Sequence, residues 1–485
     1  MAGYKKPKRF DYNLAVLGAG AAGLSSAYIA ATVKAKVALI EKHRMGGDCL
    51  NTGCVPSKAL IKSAKLLSYA KRASEFGFNS GNFDYEFANV MDRVQKVITK
   101  IEPHDSVERY TKLGVDCISG DGQITSPYSI EVNGKTITAK NIIIATGARP
   151  FVPPIKGLDK IDYLTSDNVW NLRELPKRMV VLGGGPIGCE LAQTFARLGS
   201  EVTQVEMLHQ LLVREDPEAS DMITDKFENE GIKVLTRHKA KEFISDTRSN
   251  RLICEHDGKD VTIEFDKVLV AIGRKPNVTG FGLEELGIEL NPQGTIKTDR
   301  FLRTNIKNIY ACGDVAGPFL FTHTAGYQAW FATVNAMFTP LKKFATDYRV
   351  IPWCTFTDPE IARVGINEKD ALEQNIPYES TTYGIDDLDR AIADGEAQGV
   401  VKIITKPGTD TILGVTIVGD HAGDLIAEYV LAMKNRLGLN KIFNTIHIYP
   451  TFSEANKMAA GVWKKAHAPS TILKLLKKFH NWRIG

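Results

Sequence analysis

The stretch GGDCLNTGCVPSK, residues 46–58, sets Cys49 and Cys54 five positions apart, with Lys58 just beyond them. In a regular helix, residues five apart are displaced by about 7.5 Å along the axis and point about 140° apart. A disulfide rarely joins Cα atoms more than about 7 Å apart. If the two sulfurs bond, the backbone between them must leave the helix. Asn51 and Gly53 suit a distorted turn, and Pro56 suits the first turn of a following helix, where its missing N–H costs least. A thiolate at such a helix N-terminus has a lowered pKa and is nucleophilic at neutral pH. Two other readings stay open at this point, a zinc site and buried inert thiols. Zinc would need two more ligands, and Cys117, Cys189, Cys254, Cys312 and Cys354 supply no second close pair.

Two segments of the chain read alike and are the candidates for positioning that pair. YNLAVLGAGAAGLSSAYIAATVKAKVALIEK (12–42) and RMVVLGGGPIGCELAQTFARLGSEVTQVEM (178–207) each run from an apolar stretch through G-x-G-x-x-G into a helical pattern. Each then enters a second apolar run and ends in glutamate. The same 23-residue spacing separates Gly18 from Glu41 and Gly183 from Glu206. One such motif is weak; two copies in strand–turn–helix–strand context are strong. Gly18 and Gly183 permit the tight turn, and Gly20 and Gly185 admit a pyrophosphate. Gly23 and Gly188 let helix and strand pack closely. The helix N-terminus offers unpaired N–H groups to the phosphates. Glu41 and Glu206 can each accept hydrogen bonds from a ribose. At Glu206 the same charge repels a 2′-phosphate, which favours NADH over NADPH, although His209 and Arg214 lie downstream.

Two dinucleotide sites suggest FAD and a nicotinamide cofactor. KNIIIATGARP (140–150) adds Thr146 and Gly147 to the flavin set, and NIYACGDVAG (308–317) adds Asp314 as a candidate for a ribitol hydroxyl. VLVAIGRKPN (268–277), with Gly273, closes the second nucleotide region, and Gly122 joins the cofactor candidates. From Ile351 the pattern becomes alternating strands and then a helix near Asp424 to Asn435, an α+β unit. The expected fold is α/β: two Rossmann-like dinucleotide-binding domains, for FAD and NAD, followed by a C-terminal α+β domain. The expected boundaries are 1–152 and 277–350 for the interrupted FAD domain, 153–276 for the NAD(P) domain, and 351–485 for the last.

The bulk properties exclude some classes. A net charge of +5 over 485 residues argues against a dedicated nucleic-acid binder. No apolar run approaches the length that spans a bilayer. The basic start MAGYKKPKRFDYN lacks the apolar core of a secretory signal, so a cytoplasmic address is expected. Structural disulfides are rare there, which favours a catalytic or metal-binding role for a close cysteine pair.

The stretch GGDCLNTGCVPSK resembles the redox-disulfide signature of the class I pyridine nucleotide–disulfide oxidoreductases. These are flavoproteins such as dihydrolipoamide dehydrogenase, glutathione reductase and mercuric reductase. The resemblance runs from the first glycine motif through FTDPEIARVG (356–365) to YPTFSEANK (449–457). It implies a homodimer whose 351–485 segment is the dimerisation domain. It implies that Cys54 is the charge-transfer thiolate against the flavin and Cys49 the sulfur that exchanges with substrate. It also implies that Lys58 sits near the flavin and pairs with Glu190; the plainer readings are a surface lysine and a first-turn helix acid.

One departure matters. Disulfide-reducing members carry a histidine base directly before the proline of H-P-T-x-S-E, contributed by the partner subunit. Here the motif is Tyr449-Pro450-Thr451-Phe452-Ser453-Glu454. Histidine titrates near pH ~6.5 and tyrosine near ~10, so Tyr449 accepts protons poorly at neutral pH. A tyrosine there is a feature of mercuric reductases, and LDRAIADGEAQGVVKII (388–404) and LLVREDPEAS (211–220) resemble that branch. A metal-binding N-terminal module and a C-terminal cysteine pair, which that branch uses, are not expected from this sequence.

His447, two residues before Tyr449, would share its face in an extended strand and is a candidate substitute base. No resident metal site is expected. The expected reaction is electron transfer from NADH through flavin, Cys54 and Cys49 to a thiol-reactive metal ion or small oxidant. A dihydrolipoamide dehydrogenase with an altered base is the alternative. An alternative of another class is a flavoprotein that acts mainly by docking through its tail. That tail, TILKLLKKFHNWRIG (471–485), has apolar residues at helical spacing with lysines between them. It either packs on the protein or makes a weak contact with an anionic membrane surface.

Overall fold

The computed structural model describes residues 4–79, 84–246 and 249–485. The chain divides into two units. The larger contains Met1–Ser74, Asn79–Met207 and Glu230–Asp347; the smaller contains Glu75–Phe78, Leu208–Asn229 and Tyr348–Gly485.

In the larger unit, each glycine motif sits in a parallel sheet. Strand Tyr12–Leu17 passes into helix Ala21–Thr32 and returns as strand Val37–Glu41. The two strands pair in parallel, Leu14 opposite Val37 and Leu17 opposite Ile40. The sheet order is Val115–Ser119, Val37–Glu41, Tyr12–Leu17, Lys135–Ile144, continued at the edge by Ser129–Val132 and Gln123–Ser126. Strand Lys135–Ile144 changes partners along its length. Its first half pairs antiparallel with Ser129–Val132, and its second half runs parallel to Tyr12–Leu17 and to the late strand Ile309–Ala311. Ile142, Ile143 and Ile144 are fully buried, as a parallel strand covered on both faces requires.

The second parallel sheet has the order Lys233–Leu235, Glu201–Val205, Arg178–Leu182, Lys267–Val270. Helix Pro186–Arg197 follows its central strand. An antiparallel meander of Lys239–Ser245, Asn250–His256 and Lys259–Phe265 accompanies it.

The smaller unit is built on a five-stranded antiparallel sheet, Pro352–Thr355, Glu360–Gly365, Ile412–Gly419, Val400–Thr405, Glu379–Gly384. Helices Ala422–Lys434 and Glu454–Ala466 contribute Tyr429 and Trp463 to a core shared with Val401, Ile403, Val415 and Ile417. The architecture is thus mixed α/β with a C-terminal α+β unit.

One expected boundary does not match the packing. Residues 208–229, read as part of a nucleotide domain, group with the C-terminal sheet. The reason is charge. Lys402 and Arg363 project from buried strand positions, and a buried cation needs partners. Lys402 Nζ lies 2.8 Å from Glu218 and 3.4 Å from Asp216, and it also pairs with Glu368. Arg363 pairs with Glu215 and Asp370, and Glu215 accepts a 2.9 Å bond from Trp353 Nε1.

Helix Ser470–Ile484 follows Pro469 and buries none of its residues, so packing on the chain's own body is not observed. Among the described residues, no helix is long and apolar enough to cross a membrane.

Candidate active site

The two cysteines stand on either side of a backbone break. Helix Gly47–Asn51 carries Cys49 and helix Cys54–Lys71 opens on Cys54. Thr52 and Gly53 between them are non-helical, with Gly53 at φ −125° and ψ −108°. Asn51 stabilises the short helix by donating from Nδ2 to the carbonyls of Met45 and Gly47, both at 2.9 Å. Trp170 Nε1 donates to the Thr52 carbonyl at 2.8 Å. Pro56 falls in the first turn of the second helix, where it removes no intrahelical bond.

This turn rests on the first glycine loop. The Gly46 amide donates to the Ala19 carbonyl at 2.9 Å. Gly47 has φ +56°, and a Cβ there would stand 2.6 Å from Gly20 Cα. Only glycine lets these two backbones touch. The sulfurs are therefore positioned by the same loop that the sequence assigns to a dinucleotide.

All seven cysteines are free thiols, with Cys54 exposed and Cys49 half-buried. The pair shares one negative charge unequally. Cys54 is held down at about 6, chiefly by the hydrogen bond it receives from the Cys49 thiol. The Thr322 hydroxyl, 3.3 Å from Cys54 Sγ, and the charge of Lys58 help, against the opposing effects of burial and Glu190. Cys49 is pushed far up, first by the bond it gives Cys54, then by burial and by the charge on Cys54. At neutral pH the arrangement is one thiolate and one thiol.

Lys58 lies one helical turn after Cys54, on the same face. Its ammonium pairs with Glu190 at 2.7 Å, and Glu190, on helix Pro186–Arg197, is buried. The ion pair joins the cysteine helix to the helix of the second glycine motif. We expect Lys58→Met to raise the pH at which the Cys54 thiolate forms by about one unit or more, because it removes a nearby cation and leaves Glu190 beside the sulfur. In reduced wild-type enzyme the thiolate should persist above about pH 6 and be lost as pH falls through that value. Thiolate absorbance against pH reads both.

The two glycine motifs are built alike. A Cβ at Gly18 would lie 2.4 Å from the Ala145 carbonyl oxygen, and one at Gly183 2.5 Å from that of Ala271. The second glycine differs: no atom lies within 4 Å of where a Gly185 Cβ would stand, and Gly20 meets only Gly47 Cα at 3.7 Å. Packed first and open second positions fit a pyrophosphate laid against the turn. Gly23 and Gly188 abut the carbonyls of Gly18 and Gly183.

The acids have a task the sequence did not reveal. Glu41 accepts from the Ala19 amide at 2.7 Å and Glu206 from the Gly184 amide at 2.6 Å. Each carboxylate clamps its own glycine turn at the strand end where a ribose would bind. Glu206→Gln should keep that clamp and lose the charge. The expected result is an NADH-over-NADPH ratio of kcat/KM lowered about tenfold, read by steady-state kinetics with both nucleotides.

The remaining candidates lie around the crossing of Ala148–Pro150 with Arg274–Pro276 and after strand Ile309–Ala311. The Thr146 hydroxyl donates to the Asn277 carbonyl at 2.8 Å, and the Asn277 amide donates to Gly147 at 3.0 Å. Gly273, next to this crossing, has φ +127°. Asp314 is mostly buried, which raises its pKa against the pull of Arg274. Arg274 Nε lies 3.5 Å from Asp314, and its Nη2 also pairs with Asp48, the residue before Cys49. Gly122 reads differently from its assignment: a Cβ there would stand 2.7 Å from Leu17 Cδ1 and 3.1 Å from Ile40 Cγ2, so core packing accounts for the glycine.

Tyr449, Glu454 and His447 lie in the smaller unit. The Tyr449 hydroxyl donates to Asp389 at 2.9 Å, and that bond raises its pKa above the ordinary tyrosine value. Glu454 opens helix Glu454–Ala466 and accepts from the Thr451 amide at 3.4 Å. The expected strand through His447 is absent; residues 446–448 form neither strand nor helix. The buried His447 ring meets Glu428 at 3.0 Å through Nε2 and the Thr445 carbonyl at 3.1 Å through Nδ1. It shares no partner with Tyr449 in these bonds, which tie this segment to helix Ala422–Lys434.

Residues that sequence reasoning missed are Thr322, Asp48 and Arg274, all far in sequence from what they touch. Among the described residues, no group of three or more His, Cys, Asp or Glu side chains gathers as a metal site.

Comparison with known proteins agrees with this geometry. Residues 12–329 match the family described as pyridine nucleotide-disulphide oxidoreductase, and residues 351–460 match that family's dimerisation domain. A mercuric reductase of Staphylococcus aureus is 33% identical over 455 residues, covering 94% of this chain and 83% of the relative. A dihydrolipoyl dehydrogenase of Chlamydia pneumoniae is 37% identical over 450 residues, covering 92% and 95%. Among solved structures, the Cu(II) complex of the HOCl-induced flavoprotein disulfide reductase RclA from Escherichia coli superposes with a TM-score of 0.83 at 27% identity. That match covers 93% of this chain and 99% of RclA.

Proposed function

The chain belongs to the pyridine nucleotide–disulphide oxidoreductases, and from that premise we propose that it passes electrons from NADH to a thiol-reactive metal ion or small oxidant through Cys49 and Cys54. As a family member it is a flavin-disulfide reductase type of oxidoreductase, using FAD and a nicotinamide nucleotide, and its dimerisation domain indicates a homodimer.

The first glycine loop with Glu41, Thr146, Gly147 and Asp314 would hold FAD, and the second loop with Glu206 would hold the nicotinamide nucleotide. Bound there, FAD supplies two-electron chemistry between nucleotide and sulfur. The chain's own part is to hold one sulfur as thiolate and the other protonated, with Lys58 and Thr322 beside the thiolate. Closing the pair to a disulfide releases two electrons and two protons overall. With the Cys54 thiolate, one proton has already left; the other is on Cys49, whose hold on it is strengthened.

The observation that carries the proposal is a mismatch. The Cys49 thiol donates to Cys54, which pushes its pKa up, while Tyr449, hydrogen-bonded to Asp389, occupies the position where the family resemblance implies a histidine base. A disulfide substrate needs a proton donor and acceptor there. A soft metal ion does not, because binding to sulfur itself displaces the thiol proton. For a divalent ion taken to the metal, one NADH yields NAD+, a proton and one reduced atom. A relative named mercuric reductase supports this reading, and the solved Cu(II) complex of RclA supports metal-ion binding by a protein of this fold.

The test is an anaerobic panel of lipoamide, glutathione disulfide, mercuric and cupric ions and quinones, each followed by NADH oxidation. Metal-ion or quinone turnover well above that with lipoamide supports the reading. Fast lipoamide reduction with inert metal ions would establish the dihydrolipoamide dehydrogenase alternative instead.

A further inference from the structure

Helix Ser470–Ile484 lies outside both family matches, the second of which ends at residue 460. Every one of its residues is exposed. At 100° per residue, Ile472, Leu473, Leu475, Leu476, Phe479, Trp482 and Ile484 fall on one broad arc, interrupted only by His480 and Arg483. Lys474, Lys477, Asn481 and Lys478 form the opposite face. Trp482 is 78% exposed and Ile484 85% exposed. No Asp or Glu occurs from His467 to the C-terminus, and the four Lys and Arg side chains of the helix compare with a net charge of +5 for the whole chain.

We propose that this helix is a peripheral membrane anchor that lies flat on an anionic lipid surface, its apolar arc in the acyl boundary and its lysines on the headgroups. The geometry suits that occupant. Fifteen residues give a rod about 22 Å long. Its composition, basic on one face with Trp, Phe and Leu on the other, is what partitions into an interface without spanning it. Aromatic rings of this kind favour the headgroup level. Pro469 cannot donate a backbone N–H and separates the rod from helix Glu454–Ala466. Two competing occupants fit less well. A second copy of the tail in a symmetric contact would bring like-charged lysine rows together. A nucleic acid would neutralise the lysines and leave the apolar arc in water. The homodimer carries two such helices, so engagement of the second is intramolecular once the first has bound.

The experiment uses full-length holoenzyme and co-sedimentation with two vesicle compositions, phosphatidylcholine alone and phosphatidylcholine with about one-third phosphatidylglycerol. Three variants accompany it: deletion of 470–485, the triple Lys474→Gln/Lys477→Gln/Lys478→Gln, and Phe479→Ser/Trp482→Ser. All three alter exposed residues only, and NADH oxidation should be unchanged. Wild type should pellet with the anionic vesicles, less so at high salt, and barely with the neutral ones. The triple lysine variant should bind on the order of a hundredfold more weakly, from about fivefold per basic side chain. The deletion should not bind. Equal binding to both compositions, or none to either, overturns the proposal. A drop in oligomeric mass by light scattering on deletion, without vesicle binding, overturns it in favour of a second copy covering the arc.

Discussion

Cys54→Ser should bind FAD normally and lose NADH-driven acceptor reduction by about a thousandfold or more, because the redox pair then has one sulfur. Cys49→Ser should lose turnover to the same extent but differ in one observable. It keeps the Cys54 sulfur beside Thr322 and Lys58, and serine can still donate a hydrogen bond to it. The long-wavelength absorbance of a thiolate beside a flavin should therefore survive in Cys49→Ser and vanish in Cys54→Ser. Anaerobic spectra of both variants decide which sulfur faces the cofactor. If both keep the band, or both retain turnover with a metal ion, the pair is not the electron exit.

Tyr449→His should raise disulfide or lipoamide turnover by about a hundredfold while leaving metal-ion turnover within a few-fold of wild type. The sign follows from the titration ranges. Histidine changes charge near pH ~6.5, whereas tyrosine does so near ~10, and the bond to Asp389 moves Tyr449 further up. The gain should fall away as pH drops through the histidine range, because the imidazole is then already protonated. A pH profile of lipoamide-dependent NADH oxidation in both proteins measures it. A gain of less than tenfold would mean that the missing base is not what separates this enzyme from its disulfide-reducing relatives, and the metal-ion proposal would lose its support. His447 makes a useful control: its ring is committed to Glu428, so His447→Ala should affect stability of the C-terminal unit more than turnover.

What could be read from the chain alone was what is local in it. The glycine turns, the 23-residue spacing to Glu41 and Glu206, and the cysteines astride a non-helical break all depend on neighbours in sequence. Contacts between distant segments left no such trace. Thr322 reaches Cys54 across 268 positions and Arg274 reaches Asp48 across 226. Only the fold, which returns strand Ile309–Ala311 to the first sheet and pairs Arg274–Pro276 with Ala148–Pro150, brings them together. Residues 208–229 pack with the C-terminal sheet for a related reason: their acids answer Lys402 and Arg363, cations that lie well over a hundred residues later. His447 was read from an alternation rule that applies to strands, and the segment is not one. In the tail, periodicity revealed the helix, but only the structure revealed that none of the described residues covers it.

The backbone contact between Gly46–Gly47 and Ala19–Gly20 constrains two distant segments at once. A seam too tight for any side chain couples the cysteine turn to the first glycine loop, so a substitution in either strand of it should disturb both.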